Sequence, residues 1–258
     1  MRTAGVDLSV AAKETAAATV EWEEGSEGRA RVGEPSAGLD DVALLDLLAE
    51  PEWTAIDAPF GWPAPMVAAL HAYSSDGRWP RPDKQSFRLR HTDVHVHDRL
   101  LAETGEKLWP LSPSTDRISL TAWRLAGLRE VAYERSGLRF DRAGGDRVLE
   151  AYPAAALLLW RLPRQGYKSE PEAREQLLTA LEAEAPWLSW EPGAREACVE
   201  SDDALDAVLC ALIARAAALG LTEEPSPEAL ELARAEGWIH LPRKDSLGRL
   251  LADHRARA

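Results

Sequence analysis

The chain has 258 residues, of which 45% are hydrophobic and 28% are charged, a balance typical of a globular protein with a sizeable buried core. Disordered, collagen-like and disulfide-scaffold classes are excluded, the last because Cys198 and Cys210 are the only cysteines. The formal net charge of -13 argues against a protein that grips long nucleic acid through many phosphate contacts.

The first quarter of the chain predicts a mixed sheet. Apolar alternation and turn residues mark the strands, and leucines at helical spacing mark a helix. The predicted strands are 3–9, 15–22, 30–32 and 53–57, and the predicted helix is 39–49. Three strands, a helix and a further strand are typical of a sheet with a crossover connection.

The remaining chain predicts mostly helices. The segment 74–113 is rich in Pro, Arg, Asp and His and breaks the periodicity, so we expect an insertion or a lid there. A short strand is predicted at 147–151. The predicted helices are 66–73, 115–136, 154–160, 171–185, 201–219 and 227–236.

The sequence favours a cytoplasmic protein with no membrane partner. The N-terminus runs directly into a strand pattern and lacks the apolar stretch of a signal peptide. The longest apolar run, 204–219, contains Asp206 and Arg215 and is short for a bilayer span, so it predicts a buried helix. Oligomeric state is left open.

Acidic residues occur at three well-separated places. Asp7 and Asp57 lie in or at the end of apolar strands, which would carry both carboxylates to a sheet. Asp203 and Asp206 are three residues apart on the predicted helix 201–219 and therefore share one helix face. Such carboxylates provide the hard oxygen ligands that hold one or two divalent metal ions.

The segment between Arg78 and Arg99 is the one extended basic stretch of the sequence. It is where a phosphate group would be bound, although a solvated loop of balanced charge is an equal alternative. Histidines at 91, 95 and 97 allow a zinc site, but exposed loop histidines are commoner. The six basic residues are Arg78, Arg81, Lys84, Arg88, Arg90 and Arg99.

Six blocks, in order, resemble the family called domain of unknown function 429. They are GVDLS, IDAPFGWP, RHTD, EAYPAAAL, DALDAVLCA and EGWIHLP. The resemblance covers nearly the whole chain and implies an α/β fold of the ribonuclease H-like type. It implies a single domain, 1–258, with a five-stranded mixed sheet flanked by helices, an insertion at about 74–113 and a helical C-terminal half.

The resemblance also implies a metal-dependent nuclease or phosphodiesterase with a two-metal carboxylate site. Asp7, Asp57, Asp203 and Asp206 would bind Mg²⁺ or Mn²⁺, with Asp7 as the bridging ligand, and Glu150 would be an extra ligand or general base. Resolvases of this fold more often have Glu where this chain has Asp57, and a shorter carboxylate would alter the metal spacing.

The substrate implied by the resemblance is nucleic acid or a nucleotide-like phosphodiester. Arg90 is the candidate phosphate contact, because a guanidinium matches phosphate oxygens in a bidentate way. Trp62 and Trp79 lie in loops and could stack on a base or sugar. The candidate substrate-binding residues are Arg90, Thr92, Asp93, Trp62 and Tyr152.

Two other functions remain open at this stage. A non-catalytic protein could retain the fold and bind a ligand or a partner, as the acidic charge balance allows. An actin-type ATPase or sugar kinase also has an aspartate on its first strand, but needs a glycine-rich phosphate loop. This chain has Leu8 and Ser9 after Asp7, which disfavours that alternative.

Overall fold

The computed structural model describes residues 1–23, 28–81 and 84–251. Within these residues the chain forms two compact units. The first contains Met1–Asp57, Ala151–Glu223 and the segment from His240 onward, and the second contains Ala58–Glu150 and Glu224–Ile239. The predicted insertion at 74–113 lies inside the second unit, and the single domain over 1–258 stays a prediction.

The described residues form seven strands. They are β1 (Arg2–Asp7), β2 (Ala16–Glu23), β3 (Arg29–Val32), β4 (Ser36–Ala37), β5 (Trp53–Asp57), β6 (Val148–Glu150) and β7 (Leu188–Trp190). All five predicted strands are present. The two that were not predicted, β4 and β7, have two and three residues.

The sheet of the first unit is mixed. Its strands lie in the order β5, β1, β2, β3 and β7, with β4 also paired to β2. The pairs β1–β5 and β3–β7 are parallel, whereas β2 is antiparallel to β1, β3 and β4. The predicted α/β class is confirmed. The expected count of five strands is wrong, because this unit alone contributes six.

Ten helices accompany the strands in the described part of the chain. They are α1 (Asp41–Ala49), α2 (Ala64–Asp76), α3 (Lys84–Arg88), α4 (His91–Thr104), α5 (Ser119–Ser136), α6 (Pro153–Leu159), α7 (Pro171–Glu184), α8 (Ala194–Glu200), α9 (Asp202–Ala218) and α10 (Leu230–Glu236). None of them combines the length and apolar character that a membrane crossing needs.

The loop-rich insertion predicted at 74–113 is helical in large part. Helix α4 has 14 residues, and its first turn is fixed by a side chain, because the Asp93 carboxylate accepts a hydrogen bond from the backbone N–H of Arg90 at 2.8 Å. The sequence did not predict this helix because its composition is charged and rich in histidine. Only Val96, Leu100 and a few small or polar residues of α4 are buried.

Helix α9 lies directly against β1 in the first unit. The two backbones approach so closely that a Cβ on Gly5 would lie 2.0 Å from the carbonyl oxygen of Ala207 and 2.2 Å from the backbone nitrogen of Ala211. The Thr3 hydroxyl donates to the carbonyl oxygen of Ala211 at 3.0 Å. Residues 204–216 of α9 are all buried, which confirms the predicted buried helix.

In the second unit, one carboxylate serves the N-termini of two helices. The Glu236 side chain, at the end of α10, accepts from the backbone N–H of Ala64 at 2.7 Å and from that of His91 at 2.6 Å. Ala64 and His91 are the first residues of α2 and α4. A negative charge at a helix N-terminus is stabilising because free N–H groups and the helix dipole both favour it.

Candidate functional site

Asp7 and Asp57 lie side by side at the ends of two parallel strands. They are register partners on β1 and β5, which places their backbones about 5 Å apart. Side chains two residues apart on a strand point to the same face, and both Thr3 and Gly5 face α9. Asp7 therefore projects towards α9, and Asp57 shares that face.

Helix α9 brings its own carboxylates to the same end of β1. Ala211 lies over Thr3, and Ala207 lies over Gly5, so the helix runs antiparallel to the strand. One further helical turn towards the N-terminus of α9 reaches Asp203 and Asp206, opposite Asp7. The four residues Asp7, Asp57, Asp203 and Asp206 are called the acid cluster below.

The pKa values in the acid cluster reflect burial and the mutual repulsion of its carboxylates. Burial, together with the charges of Asp57 and Asp206, raises the pKa of Asp7 well above the usual value for an aspartate. The pKa of Asp203 is also raised, mainly by burial and by the charge of Asp202. Interactions with Lys168 and Asp7 partly offset this rise in the pKa of Asp203.

Asp206 is the most deeply buried member of the acid cluster, with 1% of its surface exposed. Its Oδ2 atom accepts from the Lys168 ammonium and lies 3.5 Å from the Tyr167 hydroxyl. Its Oδ1 atom is buried and has no hydrogen-bond partner. A buried carboxylate oxygen without a donor is unfavourable, so this atom marks a position suited to a further cation or donor.

Lys168 and Tyr167 were not identified from the sequence. They lie between α6 and α7, in the stretch GYKSE, which carries no motif. The charges of Asp206 and Asp7 outweigh the effect of burial and raise the pKa of Lys168, so it is an ammonium ion at neutral pH. Ser201 caps α9 by accepting from the backbone N–H of Ala204 at 3.3 Å.

The chemistry of the acid cluster fits a hard divalent cation, but its present spacing does not form a finished coordination shell. Carboxylate oxygens, among them the unpartnered Oδ1 of Asp206, are the ligands that Mg²⁺ or Mn²⁺ prefers. Among the described residues, however, no group of three or more His, Cys, Asp or Glu side chains is placed to hold a metal ion. The Lys168 ammonium contacts Asp206.

Arg90, Asp93 and Glu150 form a buried ionic network in the second unit, called the Arg90 network below. The Arg90 guanidinium donates to both oxygens of Asp93, both oxygens of Glu150 and the carbonyl oxygen of Glu236, at 2.7 to 3.3 Å. These contacts use all five N–H donors of the guanidinium. The predicted phosphate contact would therefore require Arg90 to give up one of its carboxylate partners.

Glu150 is equally engaged. Besides its two contacts with Arg90, its Oε2 atom accepts from the backbone N–H of Phe60 at 2.9 Å. Burial opposes charge on Arg90, yet Asp93 and Glu150 outweigh it and raise the pKa of the guanidinium. Both Arg90 and Glu150 therefore have a structural role in this unit, and the predicted ligand or base role of Glu150 has no support from its geometry.

The other predicted substrate-binding residues lie in different surroundings. The buried Thr92 hydroxyl accepts from the backbone N–H of Ile239 at 2.9 Å. Trp62 is half-buried in the second unit, and Tyr152 is a half-buried residue that precedes α6 in the first unit. Trp79 is exposed, and its ring packs edge-on against Phe87.

The three histidines of the basic segment all lie on α4. His91 and His95 pack against Trp238 with ring centroids 6.4 and 4.7 Å away, and His97 stacks on Trp109 at 3.6 Å. His91 and His95 share a helix face, as their spacing predicts. Their rings are packed on tryptophans, and no metal-binding group that includes them occurs in residues 1–23, 28–81 and 84–251.

This chain belongs to the family described as "Protein of unknown function (DUF429)", whose profile matches residues 5–230. The match includes the acid cluster, Lys168 and the Arg90 network, and it ends before the closing block EGWIHLP. The resemblance seen in the sequence is thereby confirmed at the level of the family. No curated protein and no solved structure matches the chain.

Proposed function

We propose that this member of the family is a metal-dependent phosphodiesterase of the nuclease type, built on a ribonuclease H-like sheet. One observation carries the proposal. Carboxylates from β1, β5 and α9 converge on one face of the sheet, and the innermost, Asp206, retains a buried oxygen without a partner. Such a cluster destabilises the folded protein, and this cost points to a function that requires it.

The acid cluster would hold Mg²⁺ or Mn²⁺. A divalent cation held there would supply the Lewis acidity and the activation of water that phosphodiester hydrolysis requires. Asp7 has Asp57 on the adjacent strand and Asp203 on α9 as neighbours, so its carboxylate is the one best placed to bind a metal ion together with either of them. The raised pKa of Asp7 favours its protonated form, and that proton would leave when a cation binds, because ligand carboxylates are deprotonated.

The substrate would be a short or structured nucleic acid or a nucleotide-like phosphodiester. The net charge of -13 disfavours extended binding to a long polyanion. The Arg90 guanidinium is fully used by two carboxylates and a carbonyl oxygen, whereas Arg81 and Lys84 are exposed in the second unit. These exposed basic residues, rather than Arg90, are the side chains that would contact phosphate without disturbing a buried network.

A non-catalytic binding protein is the second candidate, and one observation favours it. The Lys168 ammonium already compensates Asp206, and the described carboxylates form no finished metal shell. In that case the acid cluster would bind a cationic ligand or remain closed by Lys168. Titration with Mn²⁺ separates the two, because a phosphodiesterase of this type must bind the metal at the acid cluster.

The experiment is a hydrolysis assay on the full chain with Mn²⁺ or Mg²⁺. The substrates are single- and double-stranded DNA, RNA, a cyclic dinucleotide and bis(p-nitrophenyl) phosphate. We expect turnover that is abolished by EDTA and by Asp7→Asn. The matched control is Asp98→Asn, which removes one exposed carboxylate from α4 and should leave turnover unchanged. Equal activity of Asp7→Asn and the unchanged protein would exclude the acid cluster as the catalytic site.

A further inference from the structure

Lys168 reaches the acid cluster from outside the sheet. Its side chain is 52% exposed, whereas Asp206, to which its ammonium donates, is 1% exposed. The same ammonium lies 3.5 Å from Asp202 and 5.5 Å from the centre of the Tyr167 ring. Lys168 is therefore a half-exposed side chain whose ammonium lies on the most deeply buried carboxylate of the cluster.

The backbone beside Lys168 is held in place by Arg174. The buried Arg174 side chain donates to the carbonyl oxygen of Tyr167 at 2.9 Å, to that of Val199 at 2.7 Å and to that of Glu200 at 3.1 Å. This contact ties the turn that carries Lys168 to the end of α8, directly before α9. The position of the lysine is thus defined by the fold and not by the ion pair alone.

A lysine ammonium is well suited to a site from which another cation must be able to displace it. Its ammonium is a compact point charge on a flexible stem, and water hydrates it strongly when it leaves a carboxylate. A buried aspartate without any counter-charge is strongly unfavourable. The ionised Asp206 carboxylate therefore needs a counter-ion, and its Oδ1 atom lacks a partner that Lys168 does not supply.

We propose that Lys168 is the resident counter-ion of the acid cluster: its ammonium neutralises Asp206 while no divalent cation is bound, and the two cations compete for that carboxylate. The inference rests on the cation site of the proposed function and deepens it by naming the group that the metal displaces. It explains why four converging carboxylates do not form a finished metal shell while Lys168 is in contact with Asp206.

Lys168→Met tests the competition directly. Methionine retains the length of the stem and removes the charge, so a divalent cation no longer has a competitor. Isothermal titration of the full chain with Mn²⁺ should give an affinity about tenfold or more above that of the unchanged protein. Lys107→Met, which removes one exposed positive charge in the second unit, is the matched control and should leave the affinity unchanged.

Thermal unfolding provides a second readout that needs no activity. Without metal, Lys168→Met should melt at a lower temperature than the unchanged protein, and Mn²⁺ should raise its melting temperature by the larger increment. Lys168→Arg retains the charge and should show neither effect. In an Asp206→Asn background, Lys168→Met should no longer change the Mn²⁺ affinity, because the competition acts through that carboxylate.

The outcomes separate this inference from the proposed function. Equal or weaker Mn²⁺ binding by Lys168→Met, with the unchanged protein binding normally, would overturn the counter-ion role and leave the phosphodiesterase proposal standing. Absence of Mn²⁺ binding in every variant would overturn both. If Lys168→Met does not fold, Lys168→Gln is measured in its place, with the same expected gain in affinity.

Discussion

Asp7 and Asp57 are register partners at the ends of parallel strands β1 and β5, and both project towards helix α9. Adjacent carboxylates on one face repel each other, and burial adds to the effect. Two features reduce the negative charge here: the raised pKa of Asp7 favours its neutral form, and the Lys168 ammonium contacts Asp206.

The first prediction concerns the stability of Asp7→Asn without metal. Because the pKa of Asp7 is raised in the folded protein, the folded state holds its proton more tightly than the unfolded state. Stability therefore decreases as pH rises from the usual aspartate range through the raised value. Asparagine carries no charge at any pH, so it removes this cost. The variant should be more stable at neutral pH.

The measurement is thermal unfolding in EDTA at several pH values. A gain of about 1 kcal/mol would raise the melting temperature by about 2–4 °C in a chain of this size. The gain should disappear below the usual aspartate range, where Asp7 is protonated in both states. A pH-independent gain, or a loss at neutral pH, would contradict the charge crowding inferred for Asp7.

The second prediction concerns the Arg90 network. Arg90→Ala leaves Glu150 and Asp93 buried without a counter-charge and should reduce the free energy of unfolding by about 3–5 kcal/mol. Arg90→Lys should also destabilise the protein, because an ammonium cannot replace five guanidinium donors in a fixed plane. Urea unfolding followed by circular dichroism measures both changes.

Arg88→Ala is the matched control for that experiment. Arg88 is half-exposed and lies 3.8 Å from Asp116, a geometry that contributes little to stability. We expect a change within about 0.5 kcal/mol. A small effect of Arg90→Ala, comparable with that of Arg88→Ala, would argue against the structural role and reopen the phosphate-binding role predicted from the sequence.

The third prediction tests the close approach of α9 to β1. Gly5→Ala places a methyl group 2.0 Å from a backbone oxygen of α9, so helix and strand must separate. We expect a loss of about 3 kcal/mol of stability, together with weaker Mn²⁺ binding, because Asp203 and Asp206 move with the helix. Gly127→Ala is the control: it meets open space in α5 and should stabilise that helix by about 1 kcal/mol.

The fourth prediction concerns the two thiols. Cys198 and Cys210 are buried; burial raises the pKa of Cys198 to about 12, and burial together with nearby aspartates raises that of Cys210 further above its usual value. The native protein should react with a disulfide reagent such as DTNB at pH 8 only on the timescale of unfolding. Denatured protein should show two reactive thiols. Rapid reaction of either thiol in the native state would contradict this burial.

The acid cluster could be predicted from the sequence because each of its residues lies in a regular element with clear periodicity. Strand β5 ends at Asp57 as predicted, and α9 begins within one residue of the predicted start. The convergence of these residues follows from sheet register and helix packing, which the strand–helix order already restricts. The position of Asp7 opposite Asp203 needed the structure, since it depends on Gly5.

Lys168 could not be predicted in the same way. It lies in a turn, and its approach to Asp206 depends on the clamp from Arg174 to three backbone carbonyl groups. The buried ion pairs of Arg90 could not be predicted for a related reason. An arginine before His-Thr-Asp resembles an exposed phosphate contact, and only the structure shows that Glu150, 60 residues later in the chain, occupies its guanidinium.

The N-termini of α2 and α4 both depend on the Glu236 carboxylate, which accepts a hydrogen bond from a backbone N–H of each helix. Glu236 lies 172 residues from the first residue of α2 and 145 residues from the first residue of α4. Neither helix can fray at its start without disturbing the same carboxylate. Amide hydrogen exchange at the two helix starts should therefore proceed as one joint opening event and not as two independent ones. We therefore expect the carboxylate of one residue near the end of the chain to couple the local opening of two helices.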